Sequence, residues 1–321
     1  MQLSDLLSRV EVIGIPTRTN FRGVQLREIA LIRGANHWGE FSPFKDYSRE
    51  RDALWLHAAL EAMQGSHPHP RRTHVQVNAT LPEVPVDQVG EVLSWFPGSK
   101  TVKVKIGTSN DLERISEVFR IIPDARLRLD ANGLFSIHEA EDFLTALYNK
   151  YGHQIEYVEQ PCASLAENEA AKLPIPVAID ENLRLGDDIA IINKVADVVI
   201  VKVAPLGGIT RALEIIAKLD RPVVISSALE STVGLSAGIA LAAHLPEDVT
   251  CGLGTAALLS ADVVHNPALP HNGVVKVEAV TIDTEAIARF RLPQEQVAWW
   301  HNRITDAFHT MSIKQEQKGS K

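Results

Sequence analysis

Eight short runs rich in Val, Ile and Leu recur between residues 74 and 254, and they constrain the fold more than any other feature. Apolar runs of this length, bounded by turn residues, are typical of buried β-strands. Their centres lie about 25 residues apart, which leaves room for a helix after each strand. The runs are "HVQVNAT" (74–80), "TVKVKIG" (101–107), "RLRLDANG" (126–133), "QIEYVEQP" (154–161), "PVAIDEN" (176–182), "DVVIVKVAP" (197–205), "RPVVISSA" (221–228) and "DVTCGLG" (248–254).

Helical patterns occupy several of the gaps between these runs. They are "DLERISEVFRII", "SIHEAEDFLTALYNK", "ITRALEIIAKL" and "SAGIALAAHL". Ser136 and Glu139 form a capping-box pattern that predicts where the second of these helices begins. Alternating strands and helices indicate a (β/α)8 barrel or a doubly wound parallel sheet. No Gly-rich phosphate-binding sequence follows the first run, which favours the barrel.

The chain before this repeat has a different pattern. "RVEVIGI", "QLREIALIRG" and "HWGEFS" predict three strands, and "SRERDALWLHAALEAMQ" predicts a helix after them. We therefore expect an α+β domain over residues 1–70, joined by the Pro-rich linker 65–72 to a barrel over residues 71–282. The C-terminal segment 283–321, with its predicted helix "EQVAWWHNRITDAFH", is expected to pack back on the first domain.

Composition excludes some classes of function. The net charge of −8 argues against binding to nucleic acid or to an anionic membrane, whose phosphates would repel the chain. The two cysteines, Cys162 and Cys251, form neither a CxxC pair nor a disulfide framework, as expected in a reducing compartment. The first residues lack the pattern of a signal peptide. We expect a cytoplasmic enzyme with a small-molecule substrate, whose oligomeric state the sequence leaves open.

Three consecutive predicted strands each end in one carboxylate. These are Asp130, Glu159 and Asp180, and closure of a barrel brings the carboxyl ends of its strands around one mouth. Each acid alone has an ordinary explanation, such as a helix cap or a surface position. Three unpaired carboxylates together would be destabilising without a cation. Mg²⁺ suits oxygen ligands and keeps positions open for water and substrate, so the pattern predicts a magnesium site, with Mn²⁺ as an acceptable substitute.

Lysines flank these acids. Lys103 and Lys105 stand two apart within a β-branched run, so both side chains point the same way, and Lys202 ends the sixth run. Two ammonium groups ~7 Å apart repel by roughly 2.4 kcal/mol at an effective dielectric near 20. That repulsion is expected to lower one lysine pKa towards neutrality, which would make this lysine a usable base. Solvated lysines on an edge strand would be the ordinary explanation.

At this point the motifs resemble those of the enolase superfamily, muconate-lactonizing subgroup. The matching residues are "KVK" (103–105), "DAN" (130–132), Glu159 in "VEQP", Asp180 in "DEN" and Lys202 in "VIVKVAP". The resemblance covers nearly the whole chain. It implies a modified TIM barrel, (β/α)7β, with an N-terminal α+β capping domain.

The resemblance also implies roles for these residues. The three acids would bind Mg²⁺, Lys105 would remove the proton α to a substrate carboxylate, and the metal would stabilise the resulting ene-diolate. Lys103 would tune Lys105, and Lys202 would stabilise the intermediate from the opposite side. Asn132 is expected to support the metal ligands or to contact the substrate.

Within the superfamily, four longer stretches resemble the family of the o-succinylbenzoate synthases of menaquinone biosynthesis. They are "RTNFRG", "WGEFSPFKDY", "ISSALESTVGLSAGIALAAHLP" and "CGLGTAALLSADV". The implied reaction is the syn dehydration of 2-succinyl-6-hydroxy-2,4-cyclohexadiene-1-carboxylate to 2-succinylbenzoate. Arg22, or else Arg18, is expected to reach over the barrel mouth. Ser226 and Gly252 are expected to meet the succinyl group, Gly252 through its backbone N–H.

Other functions use the same catalytic residues. An N-acylamino acid racemase or dipeptide epimerase would use Lys105 and Lys202 as bases on opposite faces of its substrate, and nothing at the lysines separates it from a dehydratase. Muconate cycloisomerisation is a more distant alternative. A non-catalytic barrel is disfavoured, because such a protein should have lost at least one ligand or base and none is missing.

Overall fold

The computed structural model describes residues 1–65 and 68–319. Residues 66 and 67 of the predicted linker, and the last two residues of the C-terminal segment, lie outside this part. The first domain contains α1 (Leu3–Leu7), β1 (Val10–Phe21), β2 (Val24–Arg33), β3 (Trp38–Phe41) and α2 (Arg49–Ala62). The strands form an antiparallel sheet in the order β1–β2–β3. The three predicted strands and the helix after them are confirmed, whereas α1 is a short helix that the sequence did not predict.

A tight turn joins β1 to β2. Phe21 pairs with Val24, and between them Arg22 and Gly23 have φ of +54° and +80°. Two successive residues with positive φ are typical of the turns that match the twist of a two-residue β-hairpin. This turn places the Arg22 side chain at the tip of the hairpin.

The remaining strands occupy the predicted runs and one segment that the sequence did not reveal. They are β4 (His74–Gln76), β5 (Ala79–Leu81), β6 (Thr101–Lys105), β7 (Arg126–Asp130), β8 (Ile155–Glu159), β9 (Val177–Ile179), β10 (Val198–Lys202), β11 (Val223–Ser226) and β12 (Val274–Lys276). Strands β5 to β11 pair in parallel in sequence order, and β12 pairs antiparallel with β4. The first run is therefore divided, because its start pairs with β12 outside the barrel.

The eighth run closes the barrel as two isolated bridges. Val77 pairs with Cys251, and Ser226 pairs with Gly252, both in parallel. The same short segment thus joins the two edges of the parallel sheet. This confirms the modified (β/α)7β barrel with an N-terminal capping domain.

Helices cover the outside of the sheet and end the chain. They are α3 (Val89–Ser94), α4 (Asp111–Ile121), α5 (Ile137–Tyr151), α6 (Leu165–Ala170), α7 (Glu181–Leu185), α8 (Ile189–Val195), α9 (Val203–Leu206), α10 (Ile209–Ile216), α11 (Thr232–His244), α12 (Thr284–Phe290) and α13 (Gln294–Gly319). The predicted capping box is present, since the Ser136 side chain accepts from the Glu139 N–H and the Glu139 carboxylate accepts from the Ser136 N–H. Several short helices, such as α6 to α9, carried too few residues for a periodic signal.

Three apolar clusters lie among the described residues. The largest packs between the barrel sheet and its helices. A second joins the cap sheet to α2 and α13, where Trp300 and Ile304 pack with Trp55 and Leu56. A third, small cluster of one residue from each of β8 to β11 faces the barrel interior. The division of the chain at residues 70 and 282 stays a prediction.

No helix among the described residues combines the length and the apolar character needed to cross a bilayer. Cys162 and Cys251 are both buried and unpaired.

Candidate active site

Parallel register places the charged strand ends side by side. Lys105 of β6 is level with Asp130 of β7, which is level with Glu159 of β8. Asp180 follows β9 directly, and Lys202 ends β10. All of these residues therefore project from the carboxyl-terminal end of the barrel, where (β/α) barrels bind their substrates.

These five side chains and Lys103, two residues before Lys105 on β6, form a cluster of buried ion pairs, which we call the strand-end cluster. Its members are Lys103, Lys105, Asp130, Glu159, Asp180 and Lys202. The cluster contains three ammonium and three carboxylate groups, so its formal charges balance. Balanced pairing is what allows so many charged groups to be buried.

Lys103 lies at the centre of the cluster. Its Nζ is 2.7 Å from Asp130 Oδ2 and 2.6 Å from Glu159 Oε2. Lys105 Nζ also contacts Asp130 Oδ2, at 2.6 Å. The two lysines of β6 thus share one carboxylate, which confirms that they point the same way.

The two lysines have opposite pKa shifts. Burial would lower the pKa of Lys103, but the charges of Asp130 and Glu159 outweigh burial and raise it above its usual value. The pKa of Lys105 is lowered, first by burial and then by the charge of Lys103, against the attraction of Asp130. The predicted direction for Lys105 is therefore confirmed. Burial, however, lowers the pKa of Lys105 more than the repulsion from Lys103, on which the prediction was based.

Lys202 lies on the far side of the cluster. Its Nζ is 2.6 Å from Asp180 Oδ2, and the charge of Asp180 raises the pKa of Lys202 against the effect of burial. Three strands, β7 to β9, separate it from Lys105 in the sheet. The two lysines therefore face each other across the acids, as the sequence predicts.

The three carboxylates suit a hard divalent cation in chemistry and burial. Asp130, Glu159 and Asp180 are at most 1% exposed and supply only oxygen donors, which Mg²⁺ prefers. Among the described residues, no three Asp, Glu, His or Cys side chains come together as a metal-binding group. The ammonium groups of the cluster hold the carboxylate oxygens instead. A bound cation would have to take the place of some of these contacts.

A pocket opens above the strand-end cluster. Its lining combines cluster lysines, residues of the cap and residues of the last barrel loops. They are Phe21, Arg22, Phe44, Tyr47, Thr80, Lys103, Lys105, Arg184, Lys202, Pro205, Ser226, Ser227, Ala228, Gly252 and Thr255. The pocket is thus cationic at its floor, with a further arginine from the hairpin tip, as suits an anionic substrate.

Three of the four predicted substrate contacts line this pocket. Arg22 comes from the cap, with its guanidinium carbon 5.8 Å from the ring centroid of Phe44, and Ser226 and Gly252 come from the barrel. The alternative choice, Arg18, lies elsewhere: its Nε donates to the Leu259 carbonyl.

The predicted role of the Gly252 backbone was wrong. Its N–H donates to the Ile225 carbonyl at 2.8 Å, because this contact closes the barrel. The N–H is therefore not available to a substrate. A Cβ at this position would clash with Ser226 Oγ, so glycine is required for the close approach of the two strands.

Asn132, the fourth predicted substrate contact, is not among the residues that line the pocket and lies beside Lys105. Its Oδ1 accepts from Lys105 Nζ at 2.7 Å, and its Nδ2 donates to Glu181 Oε1 at 3.1 Å. Asn132 has φ of +49°, which asparagine tolerates better than most residues. In this arrangement it orients the lysine.

Sequence reasoning missed a connection between the cap and the acids. Arg184, one turn after Asp180 on α7, donates to the Tyr47 hydroxyl at 3.0 Å and to Glu181 Oε1 at 2.6 Å. Its Nε is 3.5 Å from Asp180 Oδ1. The i, i+4 spacing of Asp180 and Arg184 was the only available signal, and many surface helices share it.

Comparison with protein families identifies both domains. The family described as "Enolase N-terminal domain-like" matches residues 12–63, and "Enolase C-terminal domain-like" matches residues 91–281. The chain is 42% identical to the o-succinylbenzoate synthase of Mycobacterium leprae over 316 residues, which cover 95% of this chain and 93% of the relative. It is 41% identical to that of Mycobacterium tuberculosis strain H37Rv, over 94% of each chain.

Solved structures share the fold at lower identity. A muconate lactonizing enzyme from Pseudomonas fluorescens, complexed with muconolactone, superposes with a TM-score of 0.75 at 18% identity, over 88% of this chain and 98% of that one. The L-Ala-D/L-Glu epimerase from Bacillus subtilis gives 0.71 at 20% identity, over 85% and 96%. At such identities the likeness concerns the fold alone.

Proposed function

The chain belongs to the enolase superfamily and to its family of o-succinylbenzoate synthases, and from this premise we propose the reaction and the roles of its residues. The reaction is the magnesium-dependent syn dehydration of 2-succinyl-6-hydroxy-2,4-cyclohexadiene-1-carboxylate to 2-succinylbenzoate, a step of menaquinone biosynthesis. Relatives that match this chain over nearly its full length support the dehydratase reaction. The two relatives named above are both o-succinylbenzoate synthases.

The observation that carries the proposed chemistry is the placement of Lys105 and Lys202. They lie at the floor of one pocket, on opposite sides of three buried carboxylates. A flat cyclohexadiene ring bound between them would present one face to each lysine. One lysine can then take a proton while the other stabilises negative charge.

Lys105 is the proposed base. Its neutral amine takes the proton from the carbon α to the ring carboxylate, and its lowered pKa favours the neutral form. The C–O bond of the hydroxyl on the same face then breaks. The Lys105 ammonium, which lies on that face, gives its newly acquired proton to the leaving oxygen, which departs as water and leaves an aromatic ring. Asn132, which holds the Lys105 Nζ, keeps the amine aimed at the pocket.

The other two lysines remain charged. The carboxylates that raise the pKa of Lys103 and Lys202 keep both protonated at neutral pH. Lys202 places its positive charge against the opposite ring face as negative charge develops there. Lys103 lies between Asp130 and Glu159, keeps those contacts that a cation does not take, and lowers the pKa of Lys105.

Asp130, Glu159 and Asp180 are the proposed ligands of Mg²⁺. When bound, Mg²⁺ would supply the positive charge that makes a proton α to a carboxylate acidic enough for a lysine to remove. The burial and the oxygen chemistry of the three side chains support this assignment. Mn²⁺ is expected to substitute.

The substrate side chain is proposed to extend from the lysines towards the cap. Arg22 lies at the hairpin tip over the pocket, where its guanidinium suits a carboxylate. Ser226 also lines the pocket, and its hydroxyl is proposed to contact the succinyl group. We further propose that residues 1–70 with 283–321 form the cap, that residues 71–282 form the barrel, and that the enzyme acts in the cytoplasm.

The proposal is tested with two substrates in parallel. The purified chain is incubated with Mg²⁺ and the succinyl cyclohexadiene carboxylate, and the loss of diene absorbance is followed. A second sample receives a chiral N-succinylamino acid, and its optical rotation is followed. Each assay is repeated after chelation with EDTA.

We expect EDTA-sensitive loss of the diene at a rate well above any change in optical rotation. Racemisation without diene loss, by a folded protein in the presence of Mg²⁺, would overturn the dehydratase and leave an epimerase of the same superfamily. Diene loss that persists in EDTA would overturn the metal assignment.

A further inference from the structure

The loop after β11 forms one wall of the pocket and has an unusual backbone. Ser226, Ser227 and Ala228 line the pocket, and Leu229 follows with φ of +64°. A bulky residue rarely adopts positive φ, and such strain persists only where the surroundings impose it. Leu229 is also 1% exposed, so its side chain is anchored in the core.

Arg27 of the cap imposes this conformation. Its Nε donates to the Leu229 carbonyl at 2.9 Å, and its Nη2 donates to the Ala228 carbonyl at 3.3 Å. The same Nη2 donates to both oxygens of Ser42, on the cap side. Arg27 is 3% exposed, so these bonds replace water that the guanidinium has lost. One cap side chain thus fixes two successive carbonyls of the barrel loop.

Two carboxylates complete the arrangement. Glu230 accepts from the Ala228 N–H at 2.6 Å, which tightens the same loop. Glu40 of β3 accepts from the N–H groups of Ser231 and Gly234, both at 3.1 Å, at the start of α11. Both carboxylates attract the Arg27 guanidinium electrostatically. The cap therefore holds the loop at residues 228–229 through Arg27 and at its end through Glu40.

Arg27 also contacts the opposite wall. Its guanidinium carbon is 4.7 Å from the ring centroid of Phe44, which lines the pocket. Arg27 itself is absent from the described lining of the pocket. It therefore sets the separation of Phe44 and the 226–228 wall without reaching the substrate.

We propose that Arg27 is a positioning residue that fits the pocket to the succinyl side chain, by holding residues 226–229 of the barrel against the cap. This inference rests on the proposed dehydratase function, because it assumes that the succinyl group lies along this wall. Loss of the Arg27 contacts lets the wall move away and weakens binding of the side chain. The reacting carbon beside Lys105 lies across the pocket and keeps its environment.

The test is Arg27→Lys, which keeps the charge but cannot bond both carbonyls and Ser42 in the same way. KM for the succinyl substrate is expected to rise about tenfold, while kcat stays within about threefold of wild type. The inhibition constant of 2-succinylbenzoate should rise in parallel. That of benzoate, which lacks the side chain, should not change.

Arg72→Lys is the matched control. Arg72 bonds four carbonyls at the other end of α11, those of Ala242, Leu245, Pro246 and Glu247. It should lower the melting temperature without raising KM. An equal rise of KM in both variants would show a general loss of stability and would overturn the proposal.

Arg27→Gln provides a second test in case Arg27→Lys does not fold. Glutamine is uncharged and lacks the fork of donors with which Arg27 bonds the Leu229 and Ala228 carbonyls. KM for the succinyl substrate should again rise, with kcat nearly unchanged. Wild-type KM in folded Arg27→Lys, or in Arg27→Gln if the first does not fold, overturns the positioning role. If wild-type protein itself shows no dehydration, the proposed function fails instead.

Discussion

Two buried clusters of charge differ in what their charges bind. In the strand-end cluster, the ammonium groups of Lys103, Lys105 and Lys202 bond carboxylate side chains. In the second cluster, which we call the junction cluster, Arg27 and Glu40 bond backbone carbonyls and N–H groups across the cap and the barrel. Glu230, Ser42 and Ser231 complete the junction cluster.

The difference indicates which cluster can take part in chemistry. Contacts between side chains can be exchanged for contacts with a cation or a substrate while the chain keeps its path. Contacts with the backbone define that path, so their loss changes the structure itself. Burial and charge alone do not separate the two clusters, because both are almost fully buried.

Among changes that should affect one cluster and not the other, the largest effect is expected from Asp180→Asn, on the affinity of the strand-end cluster for Mg²⁺. Loss of a residue that only supports a metal ligand costs ~10–100-fold in affinity, so loss of a ligand should cost at least about 100-fold. Calorimetric titration with Mg²⁺ measures this change, and circular dichroism should show an intact fold. Unchanged Mg²⁺ affinity would remove Asp180 from the metal site.

Glu40→Gln is expected to change stability instead. Burial raises the pKa of Glu40 to about 7, against hydrogen bonds from Ser231 and Ser42 that lower it. Between pH 4.5, the usual pKa of a glutamate, and pH 7, the folded chain therefore holds a proton on Glu40 that the unfolded chain releases. The stability that this proton gives the folded chain is fully present below pH 4.5. It is lost as pH rises towards 7, which lowers the free energy of unfolding by roughly 3 kcal/mol.

Urea unfolding of wild type and Glu40→Gln at several pH values between 4.5 and 7.5 measures this contribution. The unfolding free energy of wild type, relative to that of Glu40→Gln, should fall as pH rises from 4.5 to 7. Glu117→Gln, which alters a half-buried glutamate on α4 that pairs with Arg120, serves as the control. The hydrogen bond and charge of Arg120 lower the pKa of Glu117, so this variant should show little pH-dependent difference over this range. A pH-independent difference for Glu40→Gln would mean that Glu40 is charged throughout and that burial does not govern it.

The sequence predicted the strand-end cluster well because its signal is local. A charged residue that ends a β-branched run is visible in five to eight letters, and parallel register then brings successive ends together. Lys105, Asp130 and Glu159 followed from this rule alone.

The junction cluster left no such signal. Arg27 and Leu229 are 202 residues apart, and their contact depends on how the cap lies on the barrel. The positive φ of Leu229 is also invisible, since leucine ordinarily signals a regular element. The Gly252 error has a similar cause, because its N–H is used by a strand pairing too short to show a pattern.

The most direct test of the central claim is the rate of diene loss by Lys105→Ala, measured beside wild type at saturating substrate and Mg²⁺. The central claim is that the strand-end cluster performs the chemistry, with Lys105 as its base. Removing a general base typically costs ~10²–10⁴-fold in rate, so kcat should fall by about that factor. The fold and the affinity for Mg²⁺ should remain close to those of wild type. Near-normal diene loss by the variant would contradict the claim.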